Sequence, residues 1–389
     1  MQKPEKFLHI ISRECHRIMA RPIYIFCMVV APLLCTLFFT SLMQEGLPKN
    51  LPVGIVDQDN TATTRNIIRN LDAFSQTGIA QQYPNINAAR KAMQQGKIYA
   101  FYYIPEGTTE QLLSSRQPKV SFYTNNSFLI AGSLIYRDMR TMSELAKGSV
   151  GLTTMQAKGI NEALARAFLQ PIVIDTHALQ NPWLNYSVYL NNTLLPGVLM
   201  LLIFMMTAFA IGSEIKEGTS KEWLKLADNN MLKALIGKLL PHTLIFYAVA
   251  LAINGYIYGV LAFPFHSSIG ALLLLVFLMV LASQAVGVFF ISALPTLRLG
   301  LSACSLWGVI SFSISGFSFP VMAMHPTLQM LSNLFPLRHY FLIYVSQTLN
   351  GYPIYYAWKS YLGLMLFLVL PLLLLRRLKT ALLEYDYIP

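Results

Sequence analysis

Six stretches of this chain are long and apolar enough to cross a bilayer as helices, and nothing constrains the fold more. Ile23–Met43, Thr193–Ser213, Ser268–Leu294 and Leu299–Pro320 contain no Asp, Glu, Lys or Arg. Leu239–Phe263 is equally free of them, and Trp358–Leu375 carries only Lys359 near its start. A run of 21 residues such as Ile23–Met43 makes a helix of about 31 Å, the thickness of the hydrocarbon core. Between the last two runs, Val321–Ala357 holds several prolines. It is too broken for a plain span and is expected to be a re-entrant or interfacial element. The first run is longer than a usual signal-peptide core and lacks a small-x-small exit, so it is expected to stay as an anchor.

The stretch between the first two runs has an ordinary soluble composition, with 13 basic and 10 acidic residues over 44–192. That balance is wrong for a nucleic-acid surface. The whole chain is only 12% charged, with a net charge of +11. The excess charge reads as topology. Lys3, Lys6, Arg13, Arg17 and Arg21 precede the first run. Lys216, Lys221, Lys225, Lys233 and Lys238 separate the second from the third, Arg298 the fourth from the fifth, and Arg376, Arg377 and Lys379 follow the sixth. The opposite short segments hold only Arg338 and Lys359. The positive-inside rule then puts both termini in the cytoplasm and the 44–192 segment outside. None of the four cysteines lies in that segment, so it must hold together by packing alone.

Within it, Val53–Asp57, Ile98–Ile104 and Lys119–Thr124 read as strands. Thr61–Phe74, Asn87–Gln95, Thr108–Leu113 and Ala131–Phe168 read as helices, the last broken near Gly148–Gly151. Strand and helix alternation predicts a small α/β domain. Asp57 and Asp59 are two carboxylates that could hold a cation, but no glycine-rich cation loop follows. Helix capping is the expected role.

Much chemistry is missing. Neither Gly96-Lys97 nor Gly237-Lys238 sits in a phosphate-binding loop, and no H-E-x-x-H, C-x-x-C or G-x-S-x-G occurs. No catalytic or metal site is expected, and no cofactor bound by this chain. From Asn229 to Leu383 there is no carboxylate, and the first two runs have none either. Ion-coupled carriers usually keep ionisable relays inside the membrane, so energy is expected from elsewhere.

The segment after the second run reads Glu214-Ile-Lys-Glu217-Gly218-Thr219-Ser-Lys-Glu222-Trp223-Leu-Lys225. Its charge density suits a solvated loop, or a docking element with Trp223, Leu224 and Leu226 available to a partner. With Gly237-Lys238-Leu-Leu-Pro241, the Val53–Asp59 stretch, Gln95-Gly96 through Ile104-Pro-Glu-Gly107 and Pro336-Leu-Arg-His-Tyr340, it resembles the permease subunit of type-2 ABC exporters. The likeness is to the subgroup with a large extracytoplasmic domain after the first span, and it covers nearly the whole chain.

The resemblance implies a dimer of permeases, homodimeric or heterodimeric, each docking a cytoplasmic ABC ATPase that carries ATP and Mg. It implies a cytoplasmic interfacial helix over 1–21, with Phe7, Ile11, Cys15 and Ile18 on one side. It places the first span at 22–43, the extracytoplasmic domain at 44–192 and five further spans in 193–375. A coupling segment falls at 214–237, the re-entrant element at 321–357 and a cytoplasmic tail at 376–389. Glu214, Glu217, Gly218, Thr219, Glu222 and Trp223 become the ATPase-coupling residues. The transport path would run along the dimer interface of spans one, two and five. Lys216 stands where the family usually has Arg, so a shared ATPase is not implied. Substrate-binding residues have no motif. The uncharged spans suit a drug, lipid or other amphiphile, leaving from a bacterial inner membrane. The external domain leaves room for a periplasmic adaptor. The competing readings are a non-transporting receptor or scaffold and, behind it, an ion-coupled carrier.

Smaller features carry expectations too. Gly255-x-x-x-Gly259 could mark close helix packing. Trp183, Tyr186, Tyr189, Trp358 and Tyr361 read as an interfacial belt. Phe312, Phe317 and Phe319 are expected to pack in the fifth span or face lipid rather than line a route.

Overall fold

A computed structural model describes residues 3–384 except 115, 173, 174, 176, 178–180, 182 and 183. Trp183 and the last five residues of the tail lie outside the described residues. The chain divides into two compact units, one of residues 45–184 and one of residues 1–44 with 185–389.

The first of these is the α/β unit. Its sheet has the order β2-β1-β3-β4, with β1 at Leu51–Asp57, β2 at Thr77–Gln82, β3 at Ala100–Ile104 and β4 at Ser121–Thr124. β1 runs parallel to both β2 and β3, while β4 is antiparallel to β3. Alternation along the two central strands supplies two cores. Val53, Ile55, Ala100, Tyr102 and Ile104 pack with Leu71, Ile135, Met139 and Met142 from helices Ala62–Asp72 and Leu129–Ala157. Val56, Ile98 and Phe101 pack with Ala89 and Ala92 of helix Ile86–Gln94. Burial on both faces is why β1 and β3 read as short apolar runs.

Several expectations shift here. β2 was absent from them: it is an edge strand, Thr-Gly-Ile-Ala-Gln-Gln, whose last three residues are exposed. Its periodicity is too faint to register. The helix beginning at Leu129 runs unbroken to Ala157, through Gly148 and Gly151. A β-carbon at Gly148 would meet nothing, whereas one at Gly151 would meet Leu169 at 2.6 Å. Gly151 thus serves helix packing, not a break. The unit also ends earlier than residue 192, because residues 186–192 already belong to the next helix.

Asp57 and Asp59 are expected to cap the helix that follows them; instead each organises a turn of its own. Asp57 accepts from the Asp59 and Asn60 amides and the Thr64 hydroxyl. The cap of helix Ala62–Asp72 is Thr61, in a capping box with Thr64. Asp59 instead accepts from the amide and hydroxyl of Thr109, at the start of helix Thr108–Leu113. Slight burial works against its charge, but those bonds hold its carboxyl below the usual range. Among the described residues no cluster could hold a metal.

In the helical unit, six described helices are long and apolar enough to cross a membrane: Pro22–Leu42, Tyr186–Lys216, Met231–Val260, Ile269–Ala293, Leu297–Ile314 and Ile354–Glu384. They are numbered here first to sixth long helix. The fourth is central and contributes 14 buried residues, so it faces protein almost all round. An N-terminal helix, Lys3–Ala20, precedes them. Prolines account for irregularities in the first and sixth helices. A π-helical turn, Phe26–Val30, lies just before Pro32 in the first helix. The sixth opens as a 3₁₀ turn and breaks between Phe367 and Leu370, because Pro371 cannot donate to the Phe367 carbonyl.

Three further corrections follow from this unit. The fifth helix stops at Ile314 ahead of Gly316 (φ +104°), so Phe317 and Phe319 lie beyond it. Phe317 is buried against Phe312 and Phe341, while Phe319 is exposed. A β-carbon at Gly255 or Gly259 would meet nothing within 4 Å, so this pair mediates no close packing within the chain. Tyr361 is buried and donates to Gln347; it belongs to the core rather than to a belt. Trp358 and Tyr189 remain partly exposed. The segment 321–357 folds as short pieces, including Pro326–Ser332 and Pro336–Ile343, with Phe335, Leu337, Tyr340 and Tyr344 buried.

Candidate functional site

The Glu-x-x-x-Gly-Thr spacing explains itself at the C-terminus of the second long helix. Gly218 takes a left-handed conformation (φ +70°). Its amide donates to the Ile215 carbonyl, and the Thr219 amide donates to the Glu214 carbonyl. This is the Schellman way of ending a helix, and it needs glycine at that position. The Thr219 hydroxyl also donates to the Glu214 carboxylate. A glutamate, a glycine and a threonine at this spacing therefore close the helix and fix the acid at once.

Glu214 is fully buried. Arg13 grips it with two nitrogens at 2.8 and 2.9 Å, and Lys238 donates to it at 2.8 Å. Arg17 donates to it as well, and its other terminal nitrogen reaches Ser213 at 3.0 Å and Glu217 at 2.8 Å. Arg21 forks onto Glu217 at 2.6 and 2.7 Å. On the far side, Lys238 donates to Glu14 at 2.6 Å and His242 donates to Glu14 at 2.9 Å. Lys238 is itself fully buried, 5.1 Å from the Trp223 ring centroid. The cluster thus ties three elements together: the N-terminal helix, the end of the second long helix and the start of the third.

Electrostatics follow from this pairing. Burial works against the charge of Glu14, but Lys238 and His242 outweigh it and hold its carboxyl below the ordinary range. The Arg21 hydrogen bond, with Arg17 nearby, lowers Glu217. The same pairing raises Arg13 and Arg21. Asp228, on the loop before the third helix, is held at about 2 by Lys233 and Lys6.

The second helix extends beyond its predicted end at Ser213 and takes Glu214 inside, while Lys238 and His242 lie within the third. Carboxylate and ammonium groups are therefore present at the helix ends, but each is paired. The N-terminal helix is amphipathic as expected, with its buried stripe shifted. Ile10, Glu14, Arg17 and Ile18 face the protein, while Phe7, Ile11 and Cys15 are only partly covered. Gly237 permits the contact: a β-carbon there would meet Ile10 at 3.0 Å and Phe7 at 3.2 Å.

The predicted coupling residues separate into two groups. Glu214, Trp223 and Leu224 are buried, and Thr219 is partly so. Trp223 and Leu224 anchor the short helix Ser220–Leu226 to the bundle and offer a partner nothing. The outer face consists of Lys216, Glu217, Gly218, Lys221, Glu222 and Lys225. Sequence reading missed Arg13, Arg17, Arg21 and Lys238 as partners of the motif, and Glu14 and His242 behind Lys238. The one available signal was Glu14, next to Arg13 on an N-terminal segment that carries five basic residues and only one other acid, Glu5.

Residues 22–376 match the family described as ABC-2 family transporter protein. The chain belongs to the ABC-2 transporter family. Members are transport permeases, and this one is a multi-pass membrane protein with six candidate spans. It is also similar to the linearmycin resistance permease protein LnrN of Bacillus subtilis (strain 168), at 30% identity over 118 residues. That alignment spans 30% of this chain and 30% of the relative.

Proposed function

We infer that this ABC-2 permease is the membrane half of an ATP-driven exporter, moving a hydrophobic or amphipathic substrate out of the cytoplasm or inner leaflet. A separate cytoplasmic ABC ATPase supplies the energy. Both termini face the cytoplasm and the α/β unit is extracytoplasmic, as the lysine and arginine distribution supports. A second permease copy completes the transporter. Exposed Leu34, Leu37 and Phe38 on the first span and Leu306 and Val309 on the fifth suit such a contact.

The observation that carries this reading is the ion cluster around Glu214. It rigidly joins the N-terminal helix to the ends of two spans, directly beneath the exposed charged face of Ser220–Leu226. A push on that face would be delivered to both spans and the N-terminal helix together. Lys221, Glu222 and Lys225 are then the ATPase contact, and Glu214, Arg17 and Lys238 the coupling that transmits it. The linearmycin resistance permease is a relative whose name suits efflux.

Co-purification from native membranes tests the reading. The unmodified chain is expected to bring down a P-loop ATPase, and failure to do so overturns it. Glu222→Lys with Lys225→Glu should release the ATPase and leave the melting temperature unchanged. A double variant that keeps its partner would sink only the placement of the contact.

A further inference from the structure

The fourth, fifth and sixth spans, with the segment 333–339, enclose a cavity of about 540 Å³. It is remote in sequence from the coupling residues and shares none with the Glu214 cluster. Phe289, Phe290 and Phe367 line it, together with Leu334, Leu362 and Leu366. Those three leucines are themselves about half exposed. The cavity therefore opens sideways through apolar surface, where a bundle in a membrane meets acyl chains rather than water.

Three polar groups line this apolar space with bonding capacity left over. Lys359 has no carboxylate anywhere in the stretch Asn229–Leu383 and forms no ion pair among the described residues; its ammonium lies 5.9 Å from the Trp358 ring centroid. Trp307 has a buried indole N–H without an acceptor. His339 is 8% exposed. Its Nε2–H donates to the Asn333 carbonyl at 2.9 Å, which leaves the Nδ1 lone pair, and that atom has no partner. Lys359 sits beside exposed Tyr355, Tyr356 and Trp358, the aromatic grouping that marks headgroup depth.

We propose that this cavity holds one anionic phospholipid of the surrounding bilayer, its tail among the phenylalanines and leucines and its phosphate at Lys359. An ester carbonyl is the acceptor that the Trp307 N–H lacks. A glycerol headgroup hydroxyl is the donor that His339 Nδ1 lacks. A buried donor and acceptor left unmade are costly, and a lipid of this kind satisfies both while its charge meets the unpaired cation. The inference rests only on the chain lying in a membrane, not on the exporter reading.

Native mass spectrometry of the full chain, released from detergent and titrated with dioleoyl phosphatidylglycerol, dioleoyl phosphatidylcholine or lauric acid, tests it. Phosphatidylglycerol should add as a single adduct at about fivefold lower concentration than phosphatidylcholine, as one basic residue near a headgroup implies. Lys359→Glu should erase that preference, and Leu366→Trp should block the adduct by filling the cavity. Both positions are exposed, so gel filtration and melting should be unchanged; if Leu366→Trp does not fold, Leu362→Trp replaces it. Equal adducts of both lipids, indifferent to the substitutions, would mean annular lipid only and overturn the site. Lauric acid displacing phosphatidylglycerol would show a site for free acids and overturn the phospholipid assignment.

Discussion

The α/β unit and the helical unit use charge in opposite ways. The first packs Val53, Ile55 and Tyr102 on one side of its sheet and Val56 and Phe101 on the other, with one buried carboxylate, Asp138. The second buries Glu14, Arg17, Glu214 and Lys238 in a single cluster. A sheet between two helical layers is specified by apolar alternation, and charges other than Asp138 are left outside. A bundle whose helices are apolar on every face gains little register from apolar contact. Neighbouring leucines are interchangeable with lipid there. Paired charges are directional and costly to misplace, so they can fix which helix end meets which.

The sharpest way to break this contrast is Glu214→Gln. It leaves Arg13, Arg17 and Lys238 facing a neutral group, and losing one partner of a buried network costs about 3–5 kcal/mol. A loss of folded chain on fluorescence-detected gel filtration is expected; a wild-type melting curve would show that the cluster is not what holds the helices in register. Gly237→Val should come next, since its side chain meets Ile10 and Phe7. Overpacking of this kind costs about 1–3 kcal/mol and should expose the N-terminal helix to protease while the α/β unit stays resistant.

Acid should separate the units. Glu14 and Glu217 are held below their ordinary values, so their contribution is present above pH ~4.3 and is lost as pH falls through the folded values. Proteolysis of the N-terminal helix should therefore begin below about pH 4. Asp138 has the opposite sign. Burial raises its carboxyl, with the Thr77 hydroxyl and Arg137 opposing. Its protonated form suits the fold, so stability falls as pH rises through its folded value, and Asp138→Asn should raise the melting temperature at neutral pH. Smallest is Glu217→Gln: the Arg21 pair is partly exposed, and such a pair is worth about 0–1 kcal/mol. A larger loss would extend the buried cluster to the surface.

How much was legible in advance follows the same division. The six long helices were visible because a bilayer demands length and apolarity, which are properties of single segments. Strands β1 and β3 were visible because burial on both faces makes an apolar run. β2 was not, because an edge strand with its last three residues exposed has no pattern to read. Trp223 reads as an offered surface because its neighbours are charged. Only the packing of Ser220–Leu226 on the bundle decided that it points inward, with Lys238 5.1 Å from its ring.

The sequence by itself determined which segments are long and apolar enough to span, and that an α/β unit interrupts them. It could not pair Glu214 with Arg13, Arg17 and Lys238, since Arg13 and Glu214 stand 201 positions apart, and a charge in a sequence gives its sign but not its neighbour. Tertiary structure made that choice. Gly237 lets the N-terminal helix approach, Gly218 ends the second helix where Thr219 can reach the acid, and Arg17 and Lys238, whose charges read only as topology, are drawn inside.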